Sequence, residues 1–553
     1  MSLLATAANL AWWATCKPAH RTFAVALHDP RRAQLEILRD CVARNADTSF
    51  GRAHRFEQID SIDSFRRRLP LREYEELEPW ITAGGLTAER VLHLTPTSGS
   101  TGAKKRIPFT ASLQRQFNAA IGPWIADLFT SDPSLAAGCA YWSITPPPRK
   151  DNQDAFDDDA AYLGGARKRL VEAILAVPAR ALRGIRDDDI DGFRRITMRQ
   201  LLLRRDLRLI SIWHPSFLEL LLDYAETNWH SLCDEIERTH RPRARQLRAA
   251  GYGNWRAIWP DLALISCWTD AHAARSARAL ARRLPHVRIQ PKGLLATEGF
   301  ISIPFASAHP LAVRSHLVEF IDLDDEHHSR PCLADELRIG GVYTLALTTA
   351  GGLYRYRLHD RVRVEGFVAR TPSLRFEGRD DATVDRFGEK LHEQFVSTAL
   401  ERTMRELKLE TAFALLAPDD DDEGESARRY LLFIQHPAPP LCLAPRLDEA
   451  LQANPQYACC RALGQLEPVG VVPIGEDGYQ TYAQAMIAAG QRLGDIKPAA
   501  LSAWTGWMKV FASARSATKR QEADQFPAVA VGEVAAQREE ATSSSPGGVP
   551  GPR

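Results

Sequence analysis
The feature that most constrains the fold is a rhythm of short apolar runs set between helical stretches. Leu207–Trp213, Leu262–Trp268, Val287–Gln290, Ile301–Phe305, Tyr343–Thr349 and Val362–Val368 are each of strand length. Strands that alternate with helices build a layered α/β architecture. At 553 residues the chain exceeds one small domain. Its 70 Lys and Arg against 69 Asp and Glu leave a net charge of +1. That balance argues against a protein that coats nucleic acid or an anionic membrane.

Nine cysteines are scattered without a CxxC pair, which reads as reduced thiols in a cytoplasmic protein. The apolar stretch Leu3–Thr15, with Trp12 and Trp13, has no preceding Lys or Arg. It is too short to span a bilayer and reads as an amphipathic helix on the protein body. Stable membrane insertion is not expected, and a monomer is the default.

Residues 31–80 read as helical, with Arg66–Arg68 a solvated basic cluster. From Val91 the text VLHLTPTSGSTGAKKRIPFT gives a strand, a Gly/Ser/Thr/Lys loop and a Pro-marked exit. A helix at about 112–130 and a strand Tyr141–Thr145 follow. Asp151–Asp159 reads as a solvated acidic loop, since it lacks the EF-hand ligand order. A helical region rich in Arg and Leu spans roughly 165–250. A second unit begins near Arg379, with a helix at 389–407, an acidic loop Asp419–Glu425 and a strand Tyr430–Gln435. After Ser516 apolar periodicity fades, and Ala536–Arg553 reads as a disordered tail. The expected division is a large N-terminal α/β domain over 1–378, a smaller mobile α+β domain over 379–515, and a tail over 516–553.

Four segments carry chemistry. Thr97 to Lys105 places hydroxyls, two glycines and two lysines after a strand, a set suited to phosphate. Only two residues separate Gly99 from Gly102, so it is not a Walker A loop. Thr297-Glu298-Gly299 puts a carboxylate in a tight loop between strands, where it can hold Mg²⁺ beside phosphates. Asp360 ends the block Tyr354 to Asp360 and can accept ribose hydroxyls or pair with a neighbouring Arg. The fourth, Phe376 to Asp381 followed by Phe387 to Leu391, reads as a hinge or a plain linker. HExxH and GxSxG are absent, which argues against a zincin or a hydrolase elbow, and His327–His328 is a weak metal candidate.

The order of these segments resembles the adenylate-forming superfamily. TSGSTGAKKRIPFT, YRYRLHDRVRVEGF, FEGRDD with FGEKLHE, and RLGDIKP resemble the Gretchen Hagen auxin-responsive acyl-acid amido synthetases, in particular their bacterial-type members. The resemblance implies ATP- and Mg²⁺-dependent adenylation of a carboxylic acid, then transfer of the acyl group to an amino acid with release of AMP. It implies phosphate contacts at Ser98, Ser100, Thr101 and Lys104, with Lys105 beside them. Thr297 would face the phosphate, Glu298 would coordinate Mg²⁺, Asp360 and Arg379 would face the ribose, and Asp380 would lie in the hinge. Lys497 or Lys390 would be the C-terminal lysine that reaches the adenylate. Trp213, His214, Phe217, Trp268 and Phe300 are candidate walls of the acyl pocket. His359 departs from the Gly that the family carries before the Asp, a position where Gly permits backbone angles that His tolerates less well. Two other classes stay open: an adenylating ligase with a thiol acceptor such as coenzyme A, and a nucleotide-binding member without turnover.

Overall fold
The computed structural model describes residues 3–96, 105–142, 174–182, 185, 189–323, 330–379, 383–384, 386–387, 389–419, 428–489, 491 and 496–513. The phosphate-loop residues Ser98, Ser100, Thr101 and Lys104, the hinge residue Asp380, the Asp151–Asp159 loop, His327–His328, most of the Asp419–Glu425 loop, residues 492–495 of the RLGDIKP segment and the tail lie outside the described residues.

Helix α1 (Leu3–Ala26) buries Ala5, Ala8, Trp12, Cys16 and Phe23, one face at helical spacing. That is the amphipathic packing expected of the N-terminal stretch. Among the described residues no helix is long and apolar enough to cross a membrane. Helix α2 (Pro30–Arg44) starts where Asp29 accepts from the Arg32 amide and Pro30 fixes the first turn. Three short helices follow: α3 (Ser49–Ala53), α4 (Ile62–Arg68) and α5 (Tyr74–Thr82).

Strands β1 (His93–Pro96) and β2 (Arg106–Phe109) pair antiparallel across the Gly/Ser/Thr/Lys loop. Thr110 caps α6 (Ala111–Ser131), which packs against α1. A parallel sheet then runs in the order β3 (Cys139–Trp142), β4 (Leu207–Ser211), β5 (Leu264–Cys267) and β6 (Arg288–Pro291). Its faces are covered by two cores. Tyr141, Ile210 and Ile265 lie in one, and Ala140, Trp142, Leu209 and Leu264 in the other, as strand alternation requires.

A two-residue hairpin, β7 (Leu295–Ala296) and β8 (Gly299–Phe300), leads to an antiparallel sheet. That sheet is ordered β12 (Thr371–Arg379), β11 (Tyr356–Val368), β10 (Val342–Thr348), β9 (Leu317–Asp322). The run Ile301–Phe305, expected as a strand, makes only isolated bridges at Ser302 and Phe305. Ala306 and Ser307 take positive φ there, and this tight turn ends ladder pairing.

The Arg66–Arg68 cluster is not uniformly solvated, contrary to expectation. The Arg66 side chain is 9% exposed and binds Glu319, which also holds the buried Arg355. One carboxylate thus sits between two guanidiniums, which compensates charges that burial alone would penalise.

Beyond Arg379, β13 (Thr383–Val384) and β14 (Leu391–His392) form a small hairpin. The helix Glu393–Glu406 then packs beside β15 (Ala414–Pro418), β16 (Tyr430–Gln435) and β17 (Gly470–Ile474), a mixed three-stranded sheet. One buried apolar cluster joins Phe413, Leu415 and Phe433 of this unit with Phe217, Ile210 and Ile265.

Candidate active site
The turn of the β7–β8 hairpin carries Thr297 and Glu298. Glu298 is 7% exposed. The Tyr356 hydroxyl, at the start of β11, donates to its carboxylate at 3.4 Å. Burial pushes the Glu298 carboxyl above the usual carboxylate range, and the nearby Asp360 charge adds to that. Arg379 and Lys105 act in the opposite sense.

Asp360 and Arg379 face each other across β11 and β12, with guanidinium and carboxylate 3.3 Å apart. The Asp360 side chain is nearly buried, while that of Arg379 is 43% exposed. Lys105, at the exit of the phosphate loop, holds its ammonium 5.7 Å from the Tyr74 ring and 6.0 Å from the Tyr356 ring. Glu298, Tyr356, Asp360, Arg379 and Lys105 therefore form one cluster. It holds two carboxylates and two cations. Sequence reasoning did not single out Tyr356, although the residue stands inside the YRYR block that flagged Asp360.

His359 adopts φ +61°, the left-handed region where Gly is favoured. It stands where the β10–β11 register shifts between Thr344 and Ala346. Its Nε2 lies 2.7 Å from the Glu73 carboxylate.

A second group gathers where the parallel strands end, the place where open α/β sheets bind ligands. Trp213, Trp268 and Lys292 follow β4, β5 and β6, and backbone bonds extend the sheet to them: Trp268 N–H donates to the Trp213 carbonyl, and Lys292 N–H to that of Cys267. The two indoles lie 5.7 Å apart. The buried Lys292 ammonium sits 3.8 Å from the Trp213 ring and donates to the Ile212 carbonyl. Lys497 arrives from the C-terminal unit, its ammonium 4.2 Å from the Trp268 ring. Lys390 lies elsewhere, on an exposed turn whose carbonyl accepts from Asn454. Asp270, two residues past Trp268, accepts from the Phe376 amide of β12, so this group adjoins the strand that carries Arg379.

The remaining candidate walls lie deeper. Phe217 is buried in the core shared with the C-terminal unit, and Phe300 packs edge-on to Phe117 at 5.3 Å. His214 is fully buried, its Nδ1 2.6 Å from the Ser216 hydroxyl.

Among the described residues no set of three or more His, Cys, Asp or Glu side chains is arranged to hold a metal. A lone buried carboxylate remains compatible with Mg²⁺, which takes one or two carboxylates and fills its shell with water and phosphate oxygens.

Fold and site together define a layered α/β protein with a buried acidic turn and an Asp–Arg pair at the junction to a smaller unit. Three family models match in succession: the GH3 family N-terminal domain over residues 19–250, the central domain over 309–379 and the C-terminal domain over 394–505. The chain belongs to the GH3 family. A probable indole-3-acetic acid-amido synthetase GH3.12 of Oryza sativa subsp. japonica is 24% identical over 426 residues, 63% of this chain and 69% of that protein. A probable indole-3-acetic acid-amido synthetase GH3.1 of the same organism is 22% identical over 513 residues, 79% of this chain and 82% of that one. The solved structure of "AtGH3.15 acyl acid amido synthetase in complex with 2,4-DB" superposes with a TM-score of 0.77 at 15% identity, over 90% of this chain and 96% of that one. That likeness establishes the shared fold.

Proposed function
We propose that this chain is an ATP-dependent acyl-acid amido synthetase. A substrate carboxylate attacks the α-phosphorus of ATP, pyrophosphate leaves, and an acyl-adenylate forms. The amine of an amino acid then attacks the acyl carbon, an amide forms, and AMP leaves. Adenylation is needed because a carboxylate is a poor electrophile and AMP is a good leaving group. The observation that carries the reading is the cluster of Glu298, Asp360, Arg379 and Lys105. The names of the GH3 relatives, which are amido synthetases, support it.

Apart from that of Tyr356, the residue roles proposed are those that the family resemblance implies. Ser98, Ser100, Thr101 and Lys104 hold the phosphates, and Lys105 adds positive charge at the loop exit. Asp360 accepts from the ribose hydroxyls, and Arg379 closes over the same sugar. Glu298, with Thr297 beside it, holds Mg²⁺, which when bound neutralises phosphate charge. Tyr356 orients the Glu298 carboxylate. Trp213 and Trp268 line the acid pocket. Lys497, at the edge of that pocket, meets the charge that develops on the reacting carboxylate and phosphate. The unit after Arg379 moves as a small domain against the N-terminal body, so that the site is remodelled between the two half-reactions.

The test is one reaction mixture of protein, ATP, Mg²⁺, a pooled carboxylic-acid library, the common amino acids and coenzyme A, read by mass spectrometry. The expected result is AMP together with a new amide mass that vanishes when amino acids are omitted. A thioester formed with coenzyme A in place of any amide would overturn the acceptor assignment. The absence of acid-dependent AMP would overturn adenylation.

A further inference from the structure
Behind the acidic turn lies a buried imidazole that the reading above does not use. His316, just before β9, is fully buried. Its Nδ1 lies 2.9 Å from the side-chain oxygen of Gln116 on α6. The same oxygen accepts from the Ala350 backbone N–H at 2.9 Å. A backbone N–H can only donate, so this Gln116 atom is the carbonyl oxygen and His316 carries its proton on Nδ1. The other nitrogen, Nε2, is buried and has no hydrogen-bond partner among the described residues. It faces Gly299: a Cβ added there would lie 2.6 Å from both Cδ2 and Nε2 of the imidazole. Gly299 is the residue after Glu298.

The ring is held from every side. Phe117 packs against it edge-on at 5.8 Å. The His316 carbonyl accepts from Gln34 on α2, whose side-chain oxygen accepts in turn from Val318. Burial lowers the imidazole to about 3, so it is neutral near neutral pH. A neutral, fixed ring is a spacer whose position does not change with pH. The Gln116 oxygen ties it to Ala350, in the turn that leads into Tyr354, Tyr356 and Asp360. One amide thus fixes both the backing of Glu298 and the approach to Asp360.

We propose that His316 and Gln116 are positioning residues: the Gln116 fork holds the His316 ring against Gly299, and the ring sets where Glu298 presents its carboxylate to the Mg²⁺ of bound ATP. This rests on the reading of Glu298 given above. On this proposal both act through the acidic turn rather than by contact with substrate.

The experiment is calorimetric titration of the full chain with ATP, once with Mg²⁺ and once with chelator. Gln116→Leu removes the fork, and His316→Phe keeps an aromatic ring, a larger one, without the Nδ1 proton. Both are expected to weaken Mg²⁺-dependent ATP binding about five- to tenfold, the scale of one lost hydrogen bond, and to leave binding in chelator unchanged. Gln116→Glu keeps an acceptor for both donors and is expected to restore Mg²⁺-dependent binding at alkaline pH. Thermal unfolding checks each variant, and Gln116→Asn, which withdraws the acceptor but stays polar, replaces Gln116→Leu if that protein does not fold. Folded variants that bind Mg²⁺–ATP like the wild type overturn the proposal, as does an equal loss with and without Mg²⁺. A wild type that binds no ATP overturns the parent reading and this one with it. A wild type that binds, with unaffected variants, overturns this one alone.

Discussion

At the residue scale, Glu298 and His359 both carry a local cost at the place where the chemistry is proposed. Burial raises the Glu298 carboxyl in the folded protein above its ordinary value of 4.5. The native state therefore holds this proton more tightly than the unfolded chain does. Stability from this group is largest below the ordinary value and is lost as pH rises through the folded one. Glu298→Gln removes that penalty. It is expected to make the nucleotide-free protein more stable at neutral pH, with the gain shrinking toward pH 4.5, while acid-dependent AMP formation collapses. Urea unfolding across pH, set beside a pyrophosphate assay, checks both halves. A variant less stable than wild type at pH 7 would contradict the burial argument. For His359, a left-handed backbone costs a residue with a Cβ about 1–2 kcal/mol. His359→Gly and His359→Ala both lose the Glu73 contact, so comparing them isolates the backbone term. The glycine variant should be the more stable by about 1 kcal/mol, the reverse of the usual preference within a strand. Urea midpoints decide this, and an alanine variant at least as stable would show that the angle relaxes.

At the element scale, the sequence was most legible where periodicity and punctuation agree. The strand Tyr430–Gln435 lies where expected, and the apolar runs at Leu207, Leu262, Val287, Tyr343 and Val362 all contain or enter strands. Residues 31–80 read as helical and are so in pieces, divided by the caps at Thr48 and Ser61. Ile301–Phe305 was misread because its apolar content is that of a strand, while the turn that ends it depends on the angles of Ala306 and Ser307. Arg66 was misread for a different reason. Its partner Glu319 lies 253 positions away, and no local pattern announces such a pair. Glu298 could be picked out because it stands beside Gly299 in a tight turn between two short strands, and Asp360 because it closes the YRYRLHD block that resembles the family. Tyr356, Lys292 and Asp270 could not, because what makes them relevant is register across strands and the packing of one ring on another cation. The Gly at position 299 was visible in the sequence, but its reason, the imidazole of His316 behind it, appears only once β8 and β9 are packed.

At the scale of the whole molecule, what matters is how the C-terminal unit docks. Two polar contacts reinforce the shared apolar core. The Lys497 ammonium lies on Trp268, and the Tyr479 hydroxyl is 2.8 Å from that of Ser216, which in turn meets His214. Both anchor points stand just past the carboxyl ends of parallel strands, the edge along which the acid is proposed to bind. On the proposed reading this orientation would bring Lys497 toward the reacting carboxylate and suit adenylation. Aminolysis requires a different one, if the unit moves between half-reactions. A hydrogen bond such as Ser216–Tyr479 contributes about 0.5–1.5 kcal/mol, enough to shift a balance between two orientations by roughly two- to tenfold. Tyr479→Phe keeps the ring contacts with Phe413 and Tyr482 and removes only the hydroxyl. It should slow acid-dependent exchange of pyrophosphate into ATP by up to about that factor. Amide formation from preformed acyl-adenylate should be unchanged or faster, because the competing orientation gains population. An equal fall in both half-reactions would mean that the hydroxyl supports the fold rather than one docked state. A fall in aminolysis alone would assign this orientation to the second half-reaction and move Lys497 out of adenylation.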